Sequence, residues 1–159
     1  MPDLQSVFRE LVYYQVELWD AVDSRLQEEC GLPATWVEIM GLLERSPEVR
    51  VQDIAAAFSI SVGGTSKVVD KLEAAGYCRR LPNPADRRSS LIALTDEGRD
   101  RLQEAKVVLD RELQARIGSV LTERELDGFH RTLVALKEAG RERDADQATR
   151  PVPVRRHSV

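Results

Sequence analysis

Residues 51–99, VQDIAAAFSISVGGTSKVVDKLEAAGYCRRLPNPADRRSSLIALTDEGR, decide the fold. Val51, Ile54, Ala55 and Phe58 recur at helical spacing and mark a short helix. Ser59 and Ile60 make a tight connection, and Ser61 can cap a further helix. Thr65, Val68, Val69 and Leu72 line one face of that helix, and Gly76 stands where a C-terminal glycine cap belongs. Helix, short turn, helix over residues 51–75 is helix-turn-helix spacing. After Gly76 the period changes. Tyr77 to Leu81 is a short strand candidate, Pro82-Asn83-Pro84-Ala85 forbids regular structure, and Ser90 to Leu94 is a second strand candidate. A hairpin whose loop is rich in arginine, directly after a helix-turn-helix, has the pattern of a wing.

Outward from this stretch the chain reads as helix on both sides. Leu4, Val7, Leu11, Leu18, Val22 and Leu26 form an apolar stripe over residues 4–26, which Gly31 closes. Pro33 suits the first turn of a second helix, whose face is Trp36, Ile39, Met40 and Leu43 and which stops at Ser46-Pro47. Thr95 caps a long helix with Asp96 and Glu97 in its first turn, where the helix dipole favours acids. Its stripe is Leu102, Leu109, Leu113 and Ile117, weakened at Gly118-Ser119. Thr122-Glu123-Arg124-Glu125 is a capping box opening a last helix, striped by Leu126, Phe129, Leu133 and Leu136 and expected to end near Gly140. The polar tail, 141–159, is expected to be disordered. The terminal helices are too long and too apolar on one side for a small middle domain to satisfy. A symmetric helical dimer built from both chain ends is the natural solution.

The fold class that follows is mainly α with a small β-hairpin wing. Residues 32–94 form a winged helix-turn-helix, and residues 1–31 and 95–140 form a helical dimerisation region. The chain has 159 residues, enough for one sizeable core and too few for two ordinary domains. No apolar run spans a bilayer, and the opening MPDLQSVFRE lacks the features of a signal peptide. Cys30 and Cys78 lie far apart, which excludes a disulfide framework and suggests a reducing, cytoplasmic compartment. The net charge is −4, but Ser61–Leu94 holds six cations and three anions, hence +3 against −7 for the rest. A basic middle in an acidic protein is a local footprint for nucleic acid. An enzyme is excluded on residue types. The two histidines, His130 and His157, have no partner at metal-ligand or catalytic spacing, and no Gly-rich loop follows a strand. No catalytic residue, metal site or cofactor is therefore expected.

The stretch resembles the MarR family of bacterial transcriptional regulators, from about Leu32 to Leu102. Four parts carry the likeness in order: the Ile54-Ala55 helix, a helix ending VVDKLEAAG, a wing with Asp86-Arg87-Arg88, and LTDEGR opening the long return helix. The resemblance implies a winged helix-turn-helix homodimer on palindromic double-stranded DNA. It further implies a repressor released by a small molecule or by oxidation. Arg88 matches the family's wing arginine, which reaches into the minor groove, and Asp86 matches its support.

On this reading the candidate DNA-binding residues are Ser61, Gly63, Thr65, Ser66, Lys67, Lys71, Arg80, Arg87 and Arg88. The helix holding Ser66 and Lys67 would enter the major groove, and Arg79 and Arg80 alternate, so one of them faces DNA. Gly63-Gly64 departs from the polar residues common in the family and would either bring the backbone close to DNA or fray the helix start. Tyr13, Trp19 and Trp36 are candidates for a phenolic or anionic effector. Two other readings are a cysteine-based redox regulator and a winged helix that binds protein without binding DNA.

Overall fold

The computed structural model describes residue 1 and residues 3–149, with side chains through Asp144. Six α-helices and three strands follow one another: α1 (Leu4–Cys30), α2 (Ala34–Arg45), β1 (Val49–Arg50), α3 (Val51–Phe58), α4 (Val62–Ala74), β2 (Cys78–Pro82), β3 (Ser90–Leu94), α5 (Asp96–Leu113) and α6 (Glu123–Thr149). A π-helical turn, Gln114–Gly118, follows α5. The described residues form two compact units, Met1–Arg116 and the remainder from Ile117. Among the described residues no helix is long and apolar enough to cross a membrane.

The first unit is built on one core. Leu26 of α1, Leu32 of the α1–α2 connection, Ile39, Met40 and Leu43 of α2, Ile54 of α3, Leu72 of α4, Ile92 of β3 and Leu102 of α5 are all fully buried together. Burying each such side chain stabilises the fold by roughly 1.5–3 kcal/mol. α1 packs on α5 and α2. Pro33 cannot cap α2 with a side chain, so Asp23 of α1 does so from a distance, accepting from Ala34 N at 2.7 Å. At the far end of α1, Gly31 adopts φ 66°, the left-handed conformation its sequence position predicts. The Arg101 guanidinium of α5 donates to the Cys30 carbonyl there.

The wing is larger than its hairpin. β2 and β3 pair antiparallel from Cys78↔Leu94 to Pro82↔Ser90, and β1 joins the other edge of β3 through Val49↔Ile92 and Arg50↔Leu91. A two-residue strand has no readable alternation, which is why β1 was not foreseen. Two helix ends also differ from expectation. The regular part of α5 stops at Leu113 and its last turn widens to a π-turn, where Tyr14 donates weakly to the Arg116 carbonyl at 3.5 Å. α6 runs through Gly140 to Thr149 instead of ending there. One glycine costs only about 1 kcal/mol in a helix, and the Arg, Glu, Asp, Gln and Ala that follow are mostly compatible with helix. The expected disordered tail is thus helical as far as Thr149, and its last ten residues lie outside the described region. At the start of α6, Thr122 and Glu125 bond reciprocally as a capping box.

One junction holds the wing to α5. Gly76 turns the chain at φ 82°, and the Thr95 hydroxyl donates to its carbonyl at 2.6 Å while accepting from Gly98 N at 3.0 Å. Thr95 N donates to the Tyr77 carbonyl at 3.1 Å. A Cβ on Gly98 would sit 2.0 Å from that same carbonyl oxygen. This contact is the physical reason for a glycine at the fourth position of Thr95-Asp96-Glu97-Gly98. Gly98→Ala is expected to lower the unfolding free energy by about 1–3 kcal/mol through overpacking. Gly63→Ala, where an added Cβ meets nothing within 4 Å, is expected to raise it by up to about 1 kcal/mol. Denaturant unfolding of both variants checks the contrast.

Candidate nucleic-acid interface

α4 begins cleanly. The Ser61 side chain accepts from Gly64 N at 3.1 Å, and helix runs through Gly63 and Gly64 without fraying. Gly63 is exposed, so the first turn of α4 presents bare backbone. Lys67 and Lys71 are exposed on the same helix and Ser66 is half-buried. Thr65 is placed differently from its candidate role: it is fully buried, and its hydroxyl donates to the Ser61 carbonyl at 3.0 Å. The stripe it shares with Val69 and Leu72 faces the core, so its hydroxyl stiffens the first turn and does not reach the surface.

The wing loop is tied by its own side chains. Asp86 accepts from Arg88 N at 3.0 Å through its carboxylate, and its carbonyl accepts from Ser89 N at 3.1 Å. Asn83, buried at the base, accepts from Ala85 N at 3.0 Å and donates to the Ser89 hydroxyl at 2.8 Å. These short-range bonds fix the Arg88 backbone, while the side chains of Arg87 and Arg88 have no hydrogen bond or ion pair among the described residues. The same is true of Lys67 and Lys71.

Arg80 is spent otherwise. It donates to Asp70 at 2.7 Å and to Glu73, and its backbone N donates to Glu73 at 3.0 Å. Burial opposes the charge on Arg80, but the two carboxylates outweigh it and hold the guanidinium protonated. Arg80 therefore straps β2 to α4 and cancels both acids of α4. Arg79, its neighbour on the strand, is exposed. The outward cations of this region are thus Lys67, Lys71, Arg79, Arg87 and Arg88.

A concavity of about 270 Å³ opens between α3, α4 and the wing. Ser66, Arg80, Arg88 and Ser89 line it, joined by Arg50 and Gln52. Arg50 and Gln52 were missed by sequence reasoning, because the basic window was counted from Ser61 onward. The available signal was Arg50 three residues before Asp53: the guanidinium donates to both carboxylate oxygens, at 2.8 and 2.9 Å. That pairing and the Arg50 backbone N–H hold the Asp53 carboxyl below the usual carboxylate range.

The three aromatic candidates are not brought together. Tyr13 is 58% exposed on α1. Trp36 packs edge-on to Tyr77, centroids 6.3 Å apart, against the core. Trp19 lines a separate cavity between α1, α2 and α5.

A family model for the MarR family matches residues 32–90. The HTH-type transcriptional regulator YkoM of Bacillus subtilis is 31% identical over 116 residues, 73% of each chain. The HTH-type transcriptional repressor MdtR of the same organism is 27% identical over 124 residues, covering 77% of this chain and 74% of its own. The chain belongs to the MarR family. A solved structure of the MarR-family regulator Sco3205 from Streptomyces coelicolor, in complex with DNA, superposes with a TM-score of 0.77 at 26% identity, covering 85% of this chain and 89% of Sco3205. The MarR-family chain is accordingly a transcriptional regulator and not an enzyme, and its mostly helical winged fold matches that structure.

Burial disfavours the thiolate form of both cysteines. Cys78 is buried against the Val69 carbonyl, and burial, aided by Glu73, pushes its thiol up to about 11. Burial also raises the Cys30 thiol, with Arg101 opposing and Glu104 and Glu29 adding to the rise. Reactivity follows the thiolate. At pH 8 the Cys78 thiolate fraction should be about 100-fold below that of a thiol with the ordinary value of 9.0. Alkylation of Cys78 in the native protein should therefore be slow at neutral pH and become fast only near pH 11 or on unfolding. Peptide mapping after timed iodoacetamide labelling reads this directly.

Proposed function

We propose that the protein is a homodimeric, sequence-specific DNA-binding repressor of nearby genes, acting in the cytoplasm on a palindromic operator and released by a small molecule. The observation that carries the reading is the set of exposed, unpaired cations on α4 and the wing, with Arg88 lining the concavity between them and Arg80 neutralising the acids of α4. Lys67 and Lys71 would meet phosphates beside the major groove, Ser66 and the bare Gly63 backbone would approach base edges, and Ser61 would remain the helix cap. Arg88, its backbone held by Asp86, would enter the minor groove, where negative potential is concentrated. Arg87 would serve an adjacent phosphate, while Arg50 stays paired with Asp53.

Residues 32–94 would form the reading head, and residues 1–31 and 95–140 the dimerisation region. Support for a second copy is the apolar surface left on each terminal helix. Leu4, Phe8, Leu11 and Tyr13 of α1 are exposed, as are Leu126, Phe129 and Leu136 of α6. Exposed apolar residues at that density mark an association surface. Two-fold symmetry would then place two α4 helices about one DNA turn, roughly 34 Å, apart. Repression follows from occupancy of the operator, and MdtR is itself named a repressor. A ligand can release DNA only by favouring one spacing of the two heads over another. The cavity beside Trp19, at the contact of α1 with α5, is where such a preference would be exerted.

Fluorescence anisotropy with the DNA upstream of the protein's own coding region tests the reading. Wild-type protein should bind at moderate salt, with affinity falling steeply as salt rises. Arg88→Ala should weaken binding by roughly 10–100-fold, and Lys67→Ala should weaken it on every sequence and lower the salt slope by about 1. A folded protein that ignores this DNA, or variants that bind it like wild type, would overturn the assignment in favour of a winged helix with another partner.

A further inference from the structure

The cavity beside Trp19 carries a charge that specifies its ligand. It measures about 210 Å³ and is lined by Gln15, Leu18, Trp19, Glu38, Leu109 and Leu113, among others. Glu38 supplies its one charged group, and no cation lines it. Glu38 is half-buried and makes no hydrogen bond or ion pair among the described residues. The neighbouring cations along α1, α5 and the π-turn are already engaged. Arg25 pairs with Glu28 and Glu112, Lys106 with Glu44, Arg111 with Glu29, and Arg116 with Glu112. Arg45 lies about two helical turns further along α2. An anionic ligand would meet an uncompensated carboxylate here and find no cation to offset its desolvation.

We propose that this cavity binds a small cationic aromatic molecule, whose ammonium pairs with Glu38 and whose ring packs on Trp19, Leu109 and Leu113. The inference rests on the reading that the regulator answers to a small molecule, and it replaces the phenolic or anionic ligand expected from the aromatics alone. The size is appropriate, since a cavity of about 150 Å³ already holds a benzene ring. Carboxylate and indole together favour a cation twice, by ion pairing and by the quadrupole of the indole ring.

The test uses the full chain and three probes of matched size: 2-phenylethylammonium, phenylacetate and 2-phenylethanol. Isothermal titration should show the cation binding at least about tenfold more tightly than the anion. Glu38→Gln should cost the cation about tenfold and leave 2-phenylethanol unchanged, with circular dichroism confirming the fold. Phenylacetate binding as tightly as the cation in wild-type protein would overturn the proposal, independently of how the variant folds. So would a folded Glu38→Gln protein with undiminished affinity for the cation. Operator release, followed in parallel, separates this inference from the reading beneath it. An anion that binds and releases DNA sinks the cation site and leaves ligand response standing. A cation that binds through Glu38 without loosening DNA supports the site and sinks ligand response.

Discussion

The structure depends on the contact of Gly98 with the Tyr77 carbonyl, under the Thr95 hydroxyl. There the chain leaves α4 through Gly76, enters β2, returns through β3 and begins α5, all within a few ångströms. A side chain at position 98 would force these elements apart. With hydrogen there, α4, the wing and α5 are held through the Thr95 hydroxyl and the backbone groups of Gly76, Tyr77 and Gly98. The consequence for the proposed function is direct. On the proposed function, a displacement of α5 would carry α4 and the wing with it, and a small molecule acting on the face that α5 shares with α1 would thereby reach the proposed reading head.

Charge is arranged by the same economy. The middle of the chain is net positive, yet its composition does not say which cations face outward. Arg80 looks like its neighbours in sequence, but it lies where β2 crosses α4 and closes on Asp70 and Glu73. Pairing those two acids with Arg80 leaves the remaining cations unopposed except by Asp86, whose carboxylate is turned to the Arg88 backbone. The acidic remainder of the molecule would repel DNA elsewhere and so confine it to this face.

Much of this was legible beforehand. The helix-turn-helix, both capping serine and threonine positions, the glycine caps at Gly31 and Gly76 and the strand Ser90–Leu94 follow from local chemistry that acts within four or five residues. What escaped was set by distance or by weak signals. β1 is two residues long and exists because β3 offers it an edge. The continuation of α6 past Gly140 turns on a penalty of about 1 kcal/mol, too small to end a helix. Thr65 carried two readings, a hydroxyl near the helix start and a place on the apolar stripe, and the core position won. Arg80 and the separation of Tyr13, Trp19 and Trp36 depend on tertiary placement, which no local pattern encodes.

The central claim is that two identical heads, each an α4 helix with its wing, read one face of a duplex in two-fold symmetry. Hydroxyl-radical footprinting of the full-length protein on the DNA upstream of its own coding region tests this most directly. The account predicts symmetric protection on one face, with its two centres about 10 base pairs apart and protected minor-groove positions flanking them. A single unpaired patch, or protection without a dyad, would contradict it.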